Sequence, residues 1–230
     1  MKEPEDIVVF LTDYLLSKAT LRGKKILVSA GPTYEFIDPV RFIGNHSSGK
    51  MGFAIAEEAA SRGASVTLIT GPVHLTTPEQ VYRKDVVSAE EMKNAILHYF
   101  DDSDVLIMAA AVADYKPKVV SDEKIKKKNA ELSLELVKTD DILKEIVKNK
   151  KQQFVVGFAL ETNNEQENAK QKLVHKNLDA IVLNSLNDTG AGFGHDTNKV
   201  TIITANEEKT YTLKSKKEVA VDILNFIEGC

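Results

Sequence analysis

Residues 44–52 read GNHSSGKMG. Gly44, Gly49 and Lys50 stand at the spacing of a phosphate-binding loop, in which backbone N–H groups and a lysine cradle nucleotide phosphates. Such a loop closes on Ser or Thr, whose hydroxyl holds magnesium; here that place is taken by Met51. A phosphate loop also follows its strand directly, whereas this segment lies some distance past the first apolar run. What remains is a helix start. Ser47, Ser48 and Gly49 lead into an Ala-rich stretch whose first N–H groups lack internal partners and attract phosphate or carboxylate. Ser47 or Ser48 could also serve as N-cap, and capping is compatible with anion binding.

Two sets of lysines could act with such a site. Lys124, Lys126, Lys127 and Lys128 crowd an irregular segment, and Lys172 and Lys176, four apart, share one helix face. Charge runs are usually solvated surface. Both sets follow carboxyl ends of expected strands, however, so together with the helix start they suggest convergent cations for a polyanion. A lysine loop closing over phosphates would exclude water and stabilise developing charge. Other chemistries lack their residues. The five histidines are not paired at metal-ligand spacing, and no cysteine helps them. A nicotinamide oxidoreductase is a rival class on this kind of fold, but its glycine fingerprint is missing after the first strand. The Tyr14/Lys18 pair that mimics a reductase dyad precedes the sheet.

These groups need a scaffold, and the chain of 230 residues is 43% hydrophobic, enough for a sizeable core. Thirty basic against 34 acidic residues leave a net charge of −4, so neither nucleic acid nor a membrane surface is expected as main partner. The single cysteine, Cys230, can form no internal disulfide, which fits a reducing cytoplasm. The acid-bearing start does not read as a signal peptide, and no apolar stretch is long enough to span a bilayer.

Residues 4–18 read as a helix outside the main repeat, with Ile7, Val8, Leu11 and Leu15 at helical spacing. Strands are expected in KKILVSAGPT, ASVTLITGP, DVLIMAAAVADY, QFVVGFALE and LDAIVLNSL. Helices are expected over about 49–62, in SAEEMKNAILHYF with a capping box of Ser88 and Glu91, and in DDILKEIVKNK and EQENAKQKLVHKN. The segment 116–131 is polar and aperiodic and is expected to be weakly ordered without ligand. NDTGAGFGHDTN reads as a glycine-rich loop, KVTIITANEEKTYTL as a hairpin and KKEVAVDILNFIE as a closing helix. Apolar strands alternating with helices imply a doubly wound, Rossmann-like α/β fold: a mainly parallel sheet with helices on both faces, here with a flexible lysine-rich flap. Residues 1–20 form an N-terminal helix or linker and 21–230 a single α/β domain. Ligands on such a sheet sit beyond the carboxyl ends of the strands.

AGPTYEFIDPVRFIGNHSSGKMG, AAVADYKP with EKIKK, VVGFALETNN and AKQKLVHKNLD resemble, in this order, phosphopantothenoylcysteine synthetase. The likeness is to the ligase half of a bacterial bifunctional protein whose other half is a flavin-dependent decarboxylase, and EPEDIV resembles the joint between the halves. The resemblance implies a two-step reaction assisted by Mg2+. The carboxylate of 4'-phosphopantothenate attacks the α-phosphate of CTP, giving an acyl-cytidylate and pyrophosphate; the amine of L-cysteine then displaces CMP. It implies that Asn45 contacts the acyl-cytidylate, that Arg41, Ser47, Ser48 and Gly49 hold substrate, and that Lys124 is the flap lysine. Met108, Ala109 and Ala110 would meet the base through backbone, and Asp114 would read the nucleotide. Asp140, Asp141, Ile142 and Leu143 form a further nucleotide-contacting turn, Phe158 packs on the nucleotide, and Lys172 and Lys176 bind triphosphate. A homodimer is implied, with active sites near the interface. The alternatives are an acyl-adenylate-type ligase using ATP or another carboxylate, and a nucleotide-binding module without catalysis.

Overall fold

The computed structural model describes residues 3–126, 131–161, 163–185 and 195–230. Helix α1 (Pro4–Lys18) precedes strand β1 (Lys25–Ala30), which is buried from Ile26 onward. Strands β2 (Tyr34–Phe36) and β3 (Phe42–Gly44) lead to α2 (Lys50–Ser61). Next come β4 (Ser65–Thr70), β5 (Val81–Asp85), α3 (Ala89–Phe100), β6 (Val105–Met108) and β7 (Tyr115–Pro117). They are followed by β8 (Leu136–Lys138), α4 (Ile142–Lys148), β9 (Phe154–Glu161), α5 (Glu165–His175) and β10 (Ala180–Ser185). β11 (Thr197–Asn198), β12 (Thr201–Ile203), β13 (Glu208–Thr210), β14 (Lys214–Ser215) and α6 (Lys216–Glu228) close the chain.

The central sheet has eight strands in the order β13-β12-β10-β9-β6-β1-β4-β5. Six run parallel, and β12 and β13 add an antiparallel hairpin at one edge. Alternation along the strands makes two cores. Ile26, Val28 and Ala30 of β1 pack with Phe53 and Ile55 of α2 and Val219 and Ile223 of α6. Leu27 faces the other way, toward a core shared with Met92 and Ile96 of α3, Ile146 of α4 and Leu173 of α5. Burial on both faces explains why these strands read as continuous apolar runs. The chain leaves β1 toward β4 and β5, then returns to β6 on the opposite flank of β1. Strand order reverses there, and a crevice opens beyond the carboxyl ends of β1 and β6.

Several local features depart from the sequence reading. The stretch around Tyr34–Gly44 is a hairpin, with Tyr34 stacked on Phe42 at 3.8 Å between ring centroids. Strands of three residues are too short to carry a readable period. Segment 116–131, expected to be weakly ordered, leaves from a second small ribbon. β7 pairs with β8, and the Lys118 N–H donates to the Glu135 carbonyl at 2.9 Å. Lys127 and Lys128 lie outside the described residues, as does most of the glycine-rich loop. In α3 the Ser88 hydroxyl accepts from the Glu91 N–H at 3.2 Å, but the Glu91 carboxylate takes the Val87 N–H instead, so the expected capping box is half formed. A complete box stands at the start of α6, between Ser215 and Glu218. α1 is helical as expected and exposes Val8, Val9 and Phe10. Among the described residues no helix is long and apolar enough to cross a membrane.

Candidate active site

The crevice at the reversal point is a cleft with two arms. The larger, of about 1070 Å3, is lined by Asn45, Asp114, Lys138, Thr139, Phe158 and the turn Asp140–Leu143, with Lys172 and Lys176. The smaller, of about 140 Å3, is lined by Ser47, Ser48, Gly49 and Lys50, by Asn184 and Asn198, and by Lys216. Ala110, Ala111, Phe158 and Leu160 belong to both, so the arms are continuous.

The floor comes from β6 and the backbone that follows it. The N–H of Ala109 donates to the Ser29 carbonyl, that of Ala110 to the Ser29 hydroxyl and that of Ala111 to the Gly31 carbonyl. β1 therefore takes the N–H donors of Ala109, Ala110 and Ala111. Asn45 leaves the β2–β3 hairpin and crosses to the floor, its amide donating to the Val112 carbonyl at 2.8 Å. The Asp114 carbonyl accepts from the Thr139 N–H and the Ala113 carbonyl from the Thr139 hydroxyl, which fastens the 139–143 turn against the floor.

Helix α2 enters the small arm because two glycines allow it. Gly49, its N-cap, has φ +75° and makes no side-chain cap bond, and a Cβ there would lie 2.9 Å from Val73. At Gly52 a Cβ would meet the Ala30 Cβ at 2.6 Å, so the first turn of α2 rests directly on the end of β1. Gly49, rather than Ser47 or Ser48, is thus the cap. The Ser47 hydroxyl accepts from the Gly49 N–H at 3.3 Å. The uncapped N–H groups of this turn are the donors that an anion would take.

Lys172 and Lys176 reach the larger arm from α5, as their shared face suggested, but in different states. Lys172 donates to the Phe158 carbonyl at 2.7 Å. Burial holds its pKa below the ordinary lysine value, against the pull of Glu161 and Asp114. Lys176 pairs with Asp141, which also caps α4 by accepting from the Lys144 N–H. Asp140 pairs with Lys93, whose hydrogen bond keeps the carboxyl below its usual pKa.

Every residue expected to meet the nucleotide lines the larger arm except Ala109, which lines the smaller one, and Lys124. Lys124 is exposed and lines neither arm. Arg41 lines neither arm as well: its guanidinium holds the buried Asp38 carboxylate at 2.8 Å and donates to the Ile125 carbonyl at 3.1 Å. Burial raises the pKa of Asp38, but bonds from Val40, Ile125 and Arg41, with the Arg41 charge, bring it net below the usual value. Lys138, Thr139, Asn184, Asn198 and Lys216 were not singled out by the sequence reading. They converge only through the sheet, and no motif marks them. Among the described residues no group of three or more His, Cys, Asp or Glu could hold a metal ion.

Comparison with known proteins gives this chain its relatives. The family described as DNA/pantothenate metabolism flavoprotein C-terminal domain matches residues 21–230. A cysteine/cysteine sulfinic acid decarboxylase from an unknown prokaryotic organism is 50% identical, over 99% of this chain and 65% of that protein. The coenzyme A biosynthesis bifunctional protein CoaBC of Haemophilus influenzae is 48% identical, over 99% of this chain and 57% of that protein. A crystal structure of the C-terminal domain of a coenzyme A biosynthesis bifunctional protein CoaBC superposes with a TM-score of 0.79 at 44% identity, covering 91% of this chain and 96% of that one. The chain thus spans less than two thirds of the length of these full-length relatives. The assignment to phosphopantothenoylcysteine synthetase drawn from the motifs is corrected by these matches, which are to the C-terminal part of bifunctional proteins and name no ligase for that part. By the match over residues 21–230, the chain belongs to the DNA/pantothenate metabolism flavoprotein C-terminal domain family.

Proposed function

We propose that this domain acts in coenzyme A biosynthesis, joining 4'-phosphopantothenate to L-cysteine at the expense of CTP and releasing CMP and pyrophosphate. The observation that carries the reading is the two-armed cleft, with room for a nucleotide in one arm and an anionic acid in the other, and with Asn45 near their junction. The family's pantothenate link and the relatives' place in coenzyme A biosynthesis support the choice of acid.

In this reading the acid's carboxylate attacks the α-phosphate of CTP and pyrophosphate leaves. The amine of cysteine then attacks the acyl carbon, loses a proton, and CMP leaves. Asn45 releases the Val112 carbonyl and donates to the acyl oxygen as charge builds on it. Lys172 and Lys176 hold the triphosphate, Phe158 packs on the nucleotide, and Asp114 and the 140–143 turn hold its sugar and base end. Lys124 comes from outside the cleft to the reacting phosphate, and Arg41 holds its neighbour Ile125. Ser47, Ser48 and Gly49 take the acid. Met108 and Ala110 line the same arm and would frame the base; they do not by themselves select cytosine over adenine, so ATP is the rival nucleotide. The described residues do not fit a resident metal, and magnesium enters here as the counter-ion of the nucleotide. A second copy is proposed to cover Phe36, Phe42, Tyr115 and Leu136, exposed apolar residues on the two small ribbons.

Pyrophosphate release with phosphopantothenate, cysteine, magnesium and each of the four nucleoside triphosphates tests the proposal. CTP should give the highest kcat/KM. Comparable constants for ATP would remove the cytidine choice alone, and release that does not depend on the acid would remove the ligase reading.

A further inference from the structure

Asp38 lines neither arm of the cleft, yet it grips the stretch that carries Lys124. It sits in the turn of the β2–β3 hairpin with its side chain fully buried. Oδ1 accepts from the N–H groups of Val40 and Arg41, both at 2.8 Å, and so closes the turn itself. Oδ2 accepts from the Arg41 guanidinium at 2.8 Å and, 87 residues further on, from the Ile125 N–H at 3.1 Å. Arg41 in turn donates to the Ile125 carbonyl at 3.1 Å, so both backbone groups of Ile125 are held by the hairpin. A second pin lies just before it, where the Ser121 N–H donates to the Ile37 carbonyl at 3.0 Å. Between the pins Asp122, Glu123 and Lys124 are exposed. Lys124 thus stands on a short arch fixed at both ends to the hairpin turn, while the other end of the hairpin leads into Asn45. Closing the turn needs only one carboxylate oxygen, a task that Ser or Asn can also perform. The second oxygen is spent on Arg41 and the arch.

Resting on the ligase reading above, we infer that Asp38 is a positioning residue for that reaction: through Ile125 it fixes the arch from which Lys124 meets the reacting phosphate, and it acts on the step that releases pyrophosphate without touching a substrate. An arch pinned at both ends presents its lysine in few positions. Part of the cost of ordering that lysine is then met in the free protein rather than at the transition state. Asn at position 38 separates the two tasks of the carboxylate. Its one oxygen can keep the N–H groups of Val40 and Arg41, but its NH2 group would then face the donors of Arg41 and Ile125. The turn survives and the grip on the arch is lost.

The test is Asp38→Asn, made alone and together with Lys124→Met. Alone it should lower kcat for pyrophosphate release about 10- to 100-fold, the range for a misplaced reacting group, while calorimetry shows CTP binding unchanged. In the Lys124→Met background it should cost no more than about twofold, because the group it positions is gone. Losses that multiply in the double variant, or a parallel loss of CTP affinity, would overturn the assignment, since both belong to a merely structural role. Asp38→Ser, whose hydroxyl can still close the turn, repeats the series if the Asn variant does not fold. Amide hydrogen exchange reads the grip directly and needs no substrate. Residues 121–125 should exchange slowly in the wild type and fast in Asp38→Asn, with the β2–β3 hairpin still protected. Fast exchange of that stretch in the wild type, or equal protection in both proteins, sinks the proposal. Should the wild type release no pyrophosphate with any acid, the ligase reading fails by itself, and the exchange experiment still decides whether Asp38 holds the arch.

Discussion

The two arms of the cleft share a wall of Ala110, Ala111, Phe158 and Leu160, yet they manage charge in opposite ways. In the larger arm Lys138, Lys172 and Lys176 stand against Asp114, Asp140 and Asp141, a lining in balance. Among the described residues the smaller arm is lined by Lys50 and Lys216 and by no carboxylate, and Lys50 pairs with Asp196 just outside that lining. A balanced wall gives a polyanion little net attraction, so the larger arm needs positive charge brought in with the ligand or from a distant lysine. Lysines beside an uncapped helix start attract an anion, though Lys50 shares its charge with Asp196. The difference shows why a lysine pair read from a helix face is half an answer: Lys176 arrives already paired with Asp141, whereas Lys172 rests on a neutral carbonyl.

The separation between the arms is broken most severely at their junction. Asn45→Ala should lower the rate of product formation by about 10²–10³, the usual cost of one lost oxyanion donor, while calorimetry shows CTP affinity nearly intact. A parallel loss of CTP affinity would mean that Asn45 belongs to the nucleotide arm alone. Within that arm the two lysines should differ. Lys172→Met removes a desolvated cation and should raise the KM for CTP by about 10- to 100-fold. Lys176→Met should cost only about fivefold or less, since its charge is already spent on Asp141 near the surface. Equal effects in steady-state titrations would erase the distinction.

The lowered pKa of Lys172 adds a pH signature with a definite sign. The protonated form binds phosphate, so this share of CTP affinity is complete below the lowered pKa and is lost as pH rises through it, earlier than for an ordinary lysine. Calorimetric titration across alkaline pH should show that early loss in the wild type and not in Lys172→Met.

Gly52→Ala tests the other arm through its scaffold. The added methyl would push α2 off Ala30, costing about 1–3 kcal/mol by overpacking, and should raise the KM for the acid more than that for CTP. Thermal unfolding and substrate titration read the two parts; an unchanged Tm would mean that the contact is slack. The smallest effect concerns salt. Raising ionic strength from about 0.01 to 0.15 M shortens the screening length from about 30 to 8 Å, which should weaken binding of the acid by a few-fold and magnesium-bound CTP by less. A steeper dependence for CTP would contradict the charge balance of the larger arm.

Much of this molecule can be read without coordinates. The helix–strand alternation and the double burial of KKILVSA and QFVVGFALE dictate a parallel sheet covered on both faces, because each apolar run must be hidden from water on two sides. GNHSSGKMG announces a helix start able to take an anion, and the i,i+4 spacing puts Lys172 and Lys176 on one face. Those are local facts, set by periods of a few residues. The ribbons β2–β3 and β7–β8 are too short to show a period, and their pairing joins residues some 20 apart in the case of β7 and β8. Charge balance is a matter of neighbours across the sheet: Asp141 meets Lys176 from another helix, and Lys50 meets Lys216 over 160 residues later because α2 and α6 pack on the same face. Sequence alone determined which elements form and which residues could carry charge to the strand ends. Only the tertiary structure decided which charges cancel and which remain, because Coulomb energy depends on distance and burial, and neither follows from spacing along the chain.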